Sequence, residues 1–259
     1  MKLSIVIPVR NERTTVVDLI ERVQAVDCGM PKELIVVDGA STDGTREALL
    51  ALSKSDELVL VLEDEARGKG RAVRTGFNRA AGDIVMVQDA DLELEPSEIP
   101  TLLAPILEGR TDVVFGSRFK ARGKGTTPWV GYIGNFSLTW VANILFFTHL
   151  TDILTCYKVL RTEVARSLDL RCNGFDLDGE ITCRILRDGH GIVEVPVTYD
   201  PRSVDEGKKL SPSVGWSVLR AIVRTRFSSR SSRRIARVVA DRQEAELPAG
   251  SAAPPDLDV

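Results

Sequence analysis

The chain has 259 residues, 43% of them hydrophobic, which is enough for one large core with or without a tail. A formal net charge of −3 gives no global case for nucleic-acid binding. Cys28, Cys156, Cys172 and Cys183 form no Cys-x-x-Cys pair and have no histidine at zinc spacing, so they read as reduced thiols of a cytoplasmic protein. The segment Met1–Pro8 is too short and too quickly polar for a signal peptide. No apolar run reaches the roughly 18–20 residues of a membrane span. Phe136–Leu150 comes nearest and is broken by Asn143 and His149.

Leu3–Ile7 predicts a strand, ended by Pro8, which cannot donate to a ladder. Apolar residues at 16, 17, 19, 20 and 23 predict a helix over Thr14–Val26. Leu34–Val37 is a second strand, and Thr42-Asp43-Gly44-Thr45 opens a helix to about Leu52, with Asp43 as a cap. Leu58–Leu62 is a third strand, followed by a helix over Lys69–Ala81 that Gly82 closes. Ile84–Gln88 is a fourth strand, a helix starts at Glu95-Pro96-Ser97, and Val113–Gly116 is a fifth strand. Val130–Leu150 reads as an amphipathic helix carrying Trp140, Phe146 and Phe147. Cys156–Leu160 and Ile192–Val197 are strand candidates, with a helix at Asp178–Arg187 between them. Ser213–Phe227 is helical. The composition then turns Ser/Arg-rich and, from Leu247, Pro/Ala/Gly/Asp-rich, giving a folded domain over 1–227 and a disordered tail over 228–259.

Strands and helices alternating at this spacing predict an α/β domain with a mostly parallel sheet covered on both faces. Ligands of such sheets bind beyond the strands' carboxyl ends. Four such ends are polar: Pro8-Val9-Arg10-Asn11-Glu12, Asp38-Gly39-Ala40-Ser41, Asp89-Ala90-Asp91 and Ser117-Arg118. Asp89 and Asp91, two residues apart on extended backbone, point to one side, and Glu93 follows. Paired hard oxygen donors suit a divalent cation that holds a diphosphate. A solvated acidic turn is the other reading.

Seven elements in order resemble the family-2 inverting glycosyltransferases of the GT-A (Rossmann-like) fold, in particular the polyprenyl-phosphate mannose or glucose synthases. They are Ile5–Glu12, Val36–Thr45, Gly68-Lys69-Gly70, Asp89-Ala90-Asp91, Gly116-Ser117-Arg118, Asp152–Lys158, and Glu194-Val195-Pro196-Val197 with Arg202. Together they span roughly residues 2–210.

The resemblance implies Mg²⁺ or Mn²⁺ on Asp89 and Asp91, with Glu93 as a third ligand where the resembling enzymes often carry glutamine. It implies a donor nucleotide sugar lined by Pro8, Val9, Asn11, Glu12, Asp38, Gly39, Lys69, Asp89 and Ala90. Asn11 can equally cap the following helix. Asp152 becomes the candidate catalytic carboxylate, either a base or, for an acceptor phosphate already ionised, an orienting group. Ser117, Arg118, Arg202 and Lys208 become the acceptor-phosphate site, because arginine's planar fork matches phosphate oxygens.

The implied reaction moves a hexose from a nucleoside-diphosphate sugar to a polyprenyl phosphate. A soluble metabolite or glycan acceptor, a nucleotidyltransferase, and a non-catalytic nucleotide-sugar binder are the rivals. From Gly207 to Ala240 there is no acidic residue, while arginines and apolar residues recur at helical spacing. Such a segment suits peripheral contact with the inner face of the cytoplasmic membrane. Neither the donor's base and sugar nor the oligomeric state is legible.

Overall fold

The computed structural model of the chain describes residues 1–52, 58–120, 129–201 and 212–228. The first compact unit is Met1–Arg226, and the remainder, Phe227–Val259, lies almost wholly outside the described residues. Its elements are β1 (Leu3–Val9), α1 (Val16–Ala25), β2 (Lys32–Asp38), α2 (Thr45–Leu52), β3 (Leu58–Leu62), α3 (Lys69–Arg79) and β4 (Ile84–Val87). A 3-10 turn at Pro96–Glu98 leads into α4 (Ile99–Leu107) and β5 (Val113–Ser117). Then come α5 (Trp129–Phe146), β6 (Lys158–Arg161), α6 (Thr162–Ser167), α7 (Leu177–Arg187), β7 (Val193–Pro196) and α8 (Pro212–Phe227).

The seven strands form one sheet in the order β3-β2-β1-β4-β6-β5-β7, parallel except for β6. Both faces are covered, which is why its strands are continuous apolar runs. Leu3, Ile5, Ile7 and Val9 of β1 join one core with Leu19, Leu102 and Leu103. Val6, from the opposite face of the pleat, joins a second core with Val73, Phe77 and Ile181. A third, smaller core gathers Leu138 and Ala142 of α5 with Cys183 of α7 and Val218 and Ile222 of α8. No helix among the described residues is long and apolar enough to cross a membrane.

Three differences from the sequence reading matter for the site. First, β1 does not end at Pro8; it runs through Pro8 to Val9. Leu3 donates toward β2's side, so the odd residues of β1 face β2 and the even residues face β4. The β4 ladder stops at Val6, whose carbonyl accepts from Gln88 N–H. The missing N–H of Pro8 therefore falls where β4 has already left β1, and the sheet opens there at no cost in hydrogen bonds. Second, the strand expected over Cys156–Leu160 begins only at Lys158 and is antiparallel to both neighbours. Its first residue thus lies at the carboxyl edge of the parallel strands, opposite Phe115, and brings Cys156 and Tyr157 there. Third, the long helix stops at Phe146, and the short helix α6 went unforeseen because six residues are too few to show a period.

Candidate active site

The loops after β1 and β2 are laced together. Asn11 N–H donates to Ser41 Oγ at 3.0 Å, and Asn11 Oδ1 accepts from Thr42 N–H at 2.9 Å. Glu12 N–H donates to Thr45 Oγ1 at 3.0 Å, and Arg13 N–H to Asp43 at 3.2 Å. Asn11 therefore braces the second loop and does not cap α1, whose N-cap position, Thr15, makes no side-chain capping bond. Asp43 accepts from Thr45 N–H at the start of α2, as its proposed capping role requires. Asp38 is fully buried, and Arg46 Nε donates to it at 2.6 Å. Gly39 keeps its backbone on β1 by donating to Val9 O at 2.9 Å. Pro8, Val9, Asn11, Glu12, Asp38 and Gly39 thus do meet at one edge. Asn11, Ala40 and Leu92, in the loops after β1, β2 and β4, are three of the four described non-glycine residues with positive φ. These left-handed residues thus fall in loops at the carboxyl ends of neighbouring strands.

Asp89 sits in the gap that opens beyond β4. Lys69 Nζ donates to its Oδ2 at 2.9 Å, and the Cys156 thiol donates to the same oxygen. Lys69 also lies 3.0 Å from Cys156 Sγ and 3.6 Å from Asp178 Oδ2. Asp178 in turn accepts from Lys158 Nζ at 2.9 Å, and Lys158 reaches Thr155 O. The result is an alternating chain of buried charge: Asp89, Lys69, Asp178, Lys158. Burial opposes the Lys69 charge, but Asp178 and Asp89 outweigh it and raise its pKa well above the ordinary lysine value. Burial likewise opposes the Asp178 carboxylate, and Lys158 and Lys69 outweigh it and hold its pKa low. Burial and the neighbouring Asp89 push the Cys156 thiol well up, so it stays protonated and acts as a donor. Gly68 and Gly70 permit this placement. A Cβ on Gly70 would stand 2.8 Å from the Asn173 carbonyl carbon, and Gly70 N–H donates to Asn173 O at 2.7 Å. The Gly-Lys-Gly element is thus the tightly packed start of α3 and aims Lys69 at Asp89.

Among the described residues no three His, Cys, Asp or Glu side chains gather as a metal cage. The Glu93 carboxylate accepts from Tyr199 OH at 2.9 Å, and its carbonyl from Asp200 N–H. Asp91 Oδ1 accepts from Glu93 N–H at 3.2 Å, shaping the turn. Ala90, between the two aspartates, is buried in the core. The donor set fits a hard cation held by two carboxylates and completed by ligand oxygens, with Asp89 already drawing a positive charge.

A second cluster lies beyond β5. Asp152 is fully buried, and Arg118 donates to it through Nε at 2.7 Å, Nη2 at 2.8 Å and its backbone N–H at 3.2 Å. Asn135 Nδ2 donates to Asp152 Oδ1 at 2.7 Å. Glu194 accepts from the N–H groups of Thr151 and Asp152 at 2.8 and 3.0 Å, and Lys120 pairs with it at 3.2 Å. Ser117 is buried, with its hydroxyl 2.7 Å from that of Thr151. The Arg118 guanidinium lies 5.1 Å from the Tyr199 ring centroid. Burial works against its charge, but Asp152 prevails and raises its pKa. Against burial, and after Lys158 and Lys69, that charge also helps keep the Asp178 pKa low. Arg202 and Lys208 lie outside the described residues.

Sequence reasoning assigned no role to Asp178, Arg46, Asn135 or Tyr199. Asp178 has the look of a first-turn helix acid, and nothing local shows that two lysines converge on it. Arg46 falls in the first turn of α2, where exposure is the default reading.

Residues 4–168 match Glycosyl transferase family 2. A dolichol-phosphate mannosyltransferase of Pyrococcus furiosus is 31% identical over 235 residues, covering 86% of this chain and 63% of its own length. This chain therefore spans less than two thirds of that relative. An undecaprenyl-phosphate mannosyltransferase of Micrococcus luteus is 30% identical over 227 residues, covering 85% of this chain and 92% of its own length. Among solved structures, glucosyl-3-phosphoglycerate synthase of Mycobacterium tuberculosis, in complex with Mn²⁺, UDP and phosphoglyceric acid, superposes with a TM-score of 0.68 at 21% identity. That superposition covers 89% of this chain and 80% of the synthase. The open edge beyond β1, β2 and β4 is built on the same GT-A fold, and the chain belongs to glycosyl transferase family 2.

Proposed function

We propose that the chain transfers a hexose, with inversion, from a nucleoside-diphosphate sugar to a polyprenyl phosphate at the inner face of the cytoplasmic membrane. The observation that carries this reading is the pair of adjoining clusters between β4 and β5: an acidic edge at Asp89 and Asp91, and a basic one at Arg118. A donor diphosphate needs the first, and an anionic acceptor needs the second. The names of the Pyrococcus and Micrococcus relatives support a lipid-phosphate acceptor.

Asp89 and Asp91 are the residues that would hold Mg²⁺ or Mn²⁺, which supplies Lewis-acid help to the departing nucleoside diphosphate. Lys69, 2.9 Å from Asp89 Oδ2, holds that carboxylate in place at the gap. The loop braced by Asn11 and Asp43 gives the base and ribose a fixed wall, with Glu12 and Asp38 at its foot. An acceptor phosphate, with a second pKa of about 6, is mostly ionised at neutral pH and needs no strong base. Asp152 fits that chemistry as a positioning group: its oxygens are taken by Arg118 and Asn135. It fixes the Arg118 guanidinium, stacked on Tyr199, toward the acceptor, where Arg202 and Lys208 would add charge.

Labelled GDP-mannose and UDP-glucose offered with undecaprenyl phosphate and Mn²⁺ test the reading. Lipid-linked product that chelator abolishes is the expected result. Donor consumption only with a soluble sugar phosphate would overturn the lipid acceptor, and pyrophosphate release from a nucleoside triphosphate would overturn the reaction class.

A further inference from the structure

We infer that Tyr199, anchored by Glu93, is a positioning residue for Arg118. The inference rests on the reading of Arg118 as the residue that meets the acceptor anion. Arg118 is held on Asp152 through Nε at 2.7 Å and Nη2 at 2.8 Å, and among the described residues no hydrogen bond occupies its Nη1. Nη1 is therefore the nitrogen left for an anion. A paired contact of this kind fixes the guanidinium within its own plane but lets it tilt about the line of the two bonds. The Tyr199 ring removes that freedom: the guanidinium carbon sits over it, 5.1 Å from the centroid, with the Phe119 ring farther away at 5.8 Å. The Arg118 side chain is only 14% exposed, so the attraction between cation and ring acts with little competing water.

Tyr199 is itself tied down. Its hydroxyl donates to Glu93 Oε2 at 2.9 Å, and Asp200 N–H donates to Glu93 O at 2.9 Å. Leu94 and Tyr199 form a bridge, and Thr198 reaches Glu98 through its N–H at 3.0 Å and its hydroxyl at 2.8 Å. Glu93 N–H in turn donates to Asp91 Oδ1. The turn that carries Asp91 thus also carries the anchor of the ring on Arg118, and Glu93 braces the acceptor side. Tyr199 packs in the first core, where a phenylalanine would fill the same space. The hydroxyl earns its place by ending on a carboxylate of the loop after β4.

Tyr199→Phe keeps the ring and drops the anchor, whereas Tyr199→Met drops both and still fills space. Transfer to a short polyprenyl phosphate dispersed in detergent, with donor and acceptor varied in turn, reads their effects. The acceptor KM should rise about threefold in the phenylalanine variant and about tenfold in the methionine variant, with donor KM and kcat within about twofold of wild type. Donor and acceptor KM rising together would reduce Tyr199 to a core filler and overturn the proposal, as would an unchanged acceptor KM in both variants. A second readout needs no acceptor. The Arg118 Nε–H resonance, identified by its loss in Arg118→Lys, should move little in Tyr199→Phe and clearly in Tyr199→Met, because the ring current leaves with the ring. A resonance that methionine does not move would also overturn the proposal. If the methionine variant does not fold, the acceptor KM of the phenylalanine variant decides. Absence of transfer by the wild type would sink the acceptor reading and leave the resonance to decide whether Tyr199 holds Arg118.

Discussion

Asp89 and Asp152, both singled out for chemistry, meet opposite surroundings. Asp89 opens on the gap beyond β4 with Lys69 as its only ion-pair partner among the described residues. Asp152 is closed in by Arg118, Asn135 and the peptide of residue 118. Substitutions should therefore separate turnover from stability. Asp89→Asn removes one of two proposed metal carboxylates from a partly open position. It should lower turnover by about a thousandfold, several kcal/mol at roughly 1.4 per factor of ten, with urea unfolding little changed. Asp152→Ala leaves the buried Arg118 guanidinium unpaired and should cost about 3–5 kcal/mol in urea unfolding. Unchanged stability in Asp152→Ala with abolished turnover would instead point to a base. The carboxylate pair was legible as a sequence motif, but β4 ends at Val87, so Asp89 and Asp91 lie in the turn beyond the strand, where strand alternation no longer governs their side chains. The partner of Glu93 was not legible, because Tyr199 lies 106 residues away and reaches it only through long-range contacts such as the Leu94–Tyr199 bridge and the Asp200 N–H bond to Glu93 O.

At the level of elements, what the sequence disclosed tracked local periodicity. Leu58–Leu62 is the strand expected, and β2 and β5 differ from expectation by a residue or two at their ends. Strand direction leaves no local trace, so β6 gave no sign that its start would lie beside Asp89. Two elements make predictions of their own. α3 begins on Gly68-Lys69-Gly70 against the 172–174 backbone, and Gly70→Ala should destabilise by about 1–3 kcal/mol in urea unfolding through overpacking. α7 carries Asp178 and Glu180, both held at low pKa despite burial, Asp178 by Lys158 and Lys69, Glu180 by the N–H groups of Cys172 and Arg171 and by Arg184. A carboxylate whose folded pKa lies below its unfolded value stabilises fully above the unfolded value of about 4 and loses that contribution as pH falls through the folded one. Stability should thus be flat from neutral pH to about pH 5 and fall steeply below pH 4, and Lys158→Met should move that fall to higher pH. Circular dichroism along an acid titration gives both curves.

For the whole molecule, the sheet order determines where these pieces act. β1 lies inside the sheet next to the central β4, Pro8 faces the side where β4 departs, and the loops of β1 and β2 wall one flank of the opening while β6 and β5 bring Cys156, Lys158 and Arg118 to the other. The loop after β4 contributes negative charge, at Asp89 and Asp91, while α3, α2 and the end of β5 contribute cations that pin carboxylates, at Lys69, Arg46 and Arg118. Under the proposed function, such an edge would take a metal and a diphosphate together and should bind either alone less well. With only two protein carboxylates proposed for it, Mn²⁺ by itself should barely shift the unfolding temperature, and UDP or GDP by itself meets Asp89 and Asp91 as like charges. Together each supplies what the other lacks. A complex at a hundred times its Kd adds about 2.7 kcal/mol, which for a body of this size is roughly 5–10 °C. A thermal-shift panel of Mn²⁺, nucleoside diphosphates and their sugars should therefore show a combined shift larger than the sum of the separate ones. The diphosphate giving the largest combined shift identifies the donor's base. Additive shifts would mean that metal and nucleotide bind apart, and Asp89 and Asp91 would then lose their place as the clamp between them.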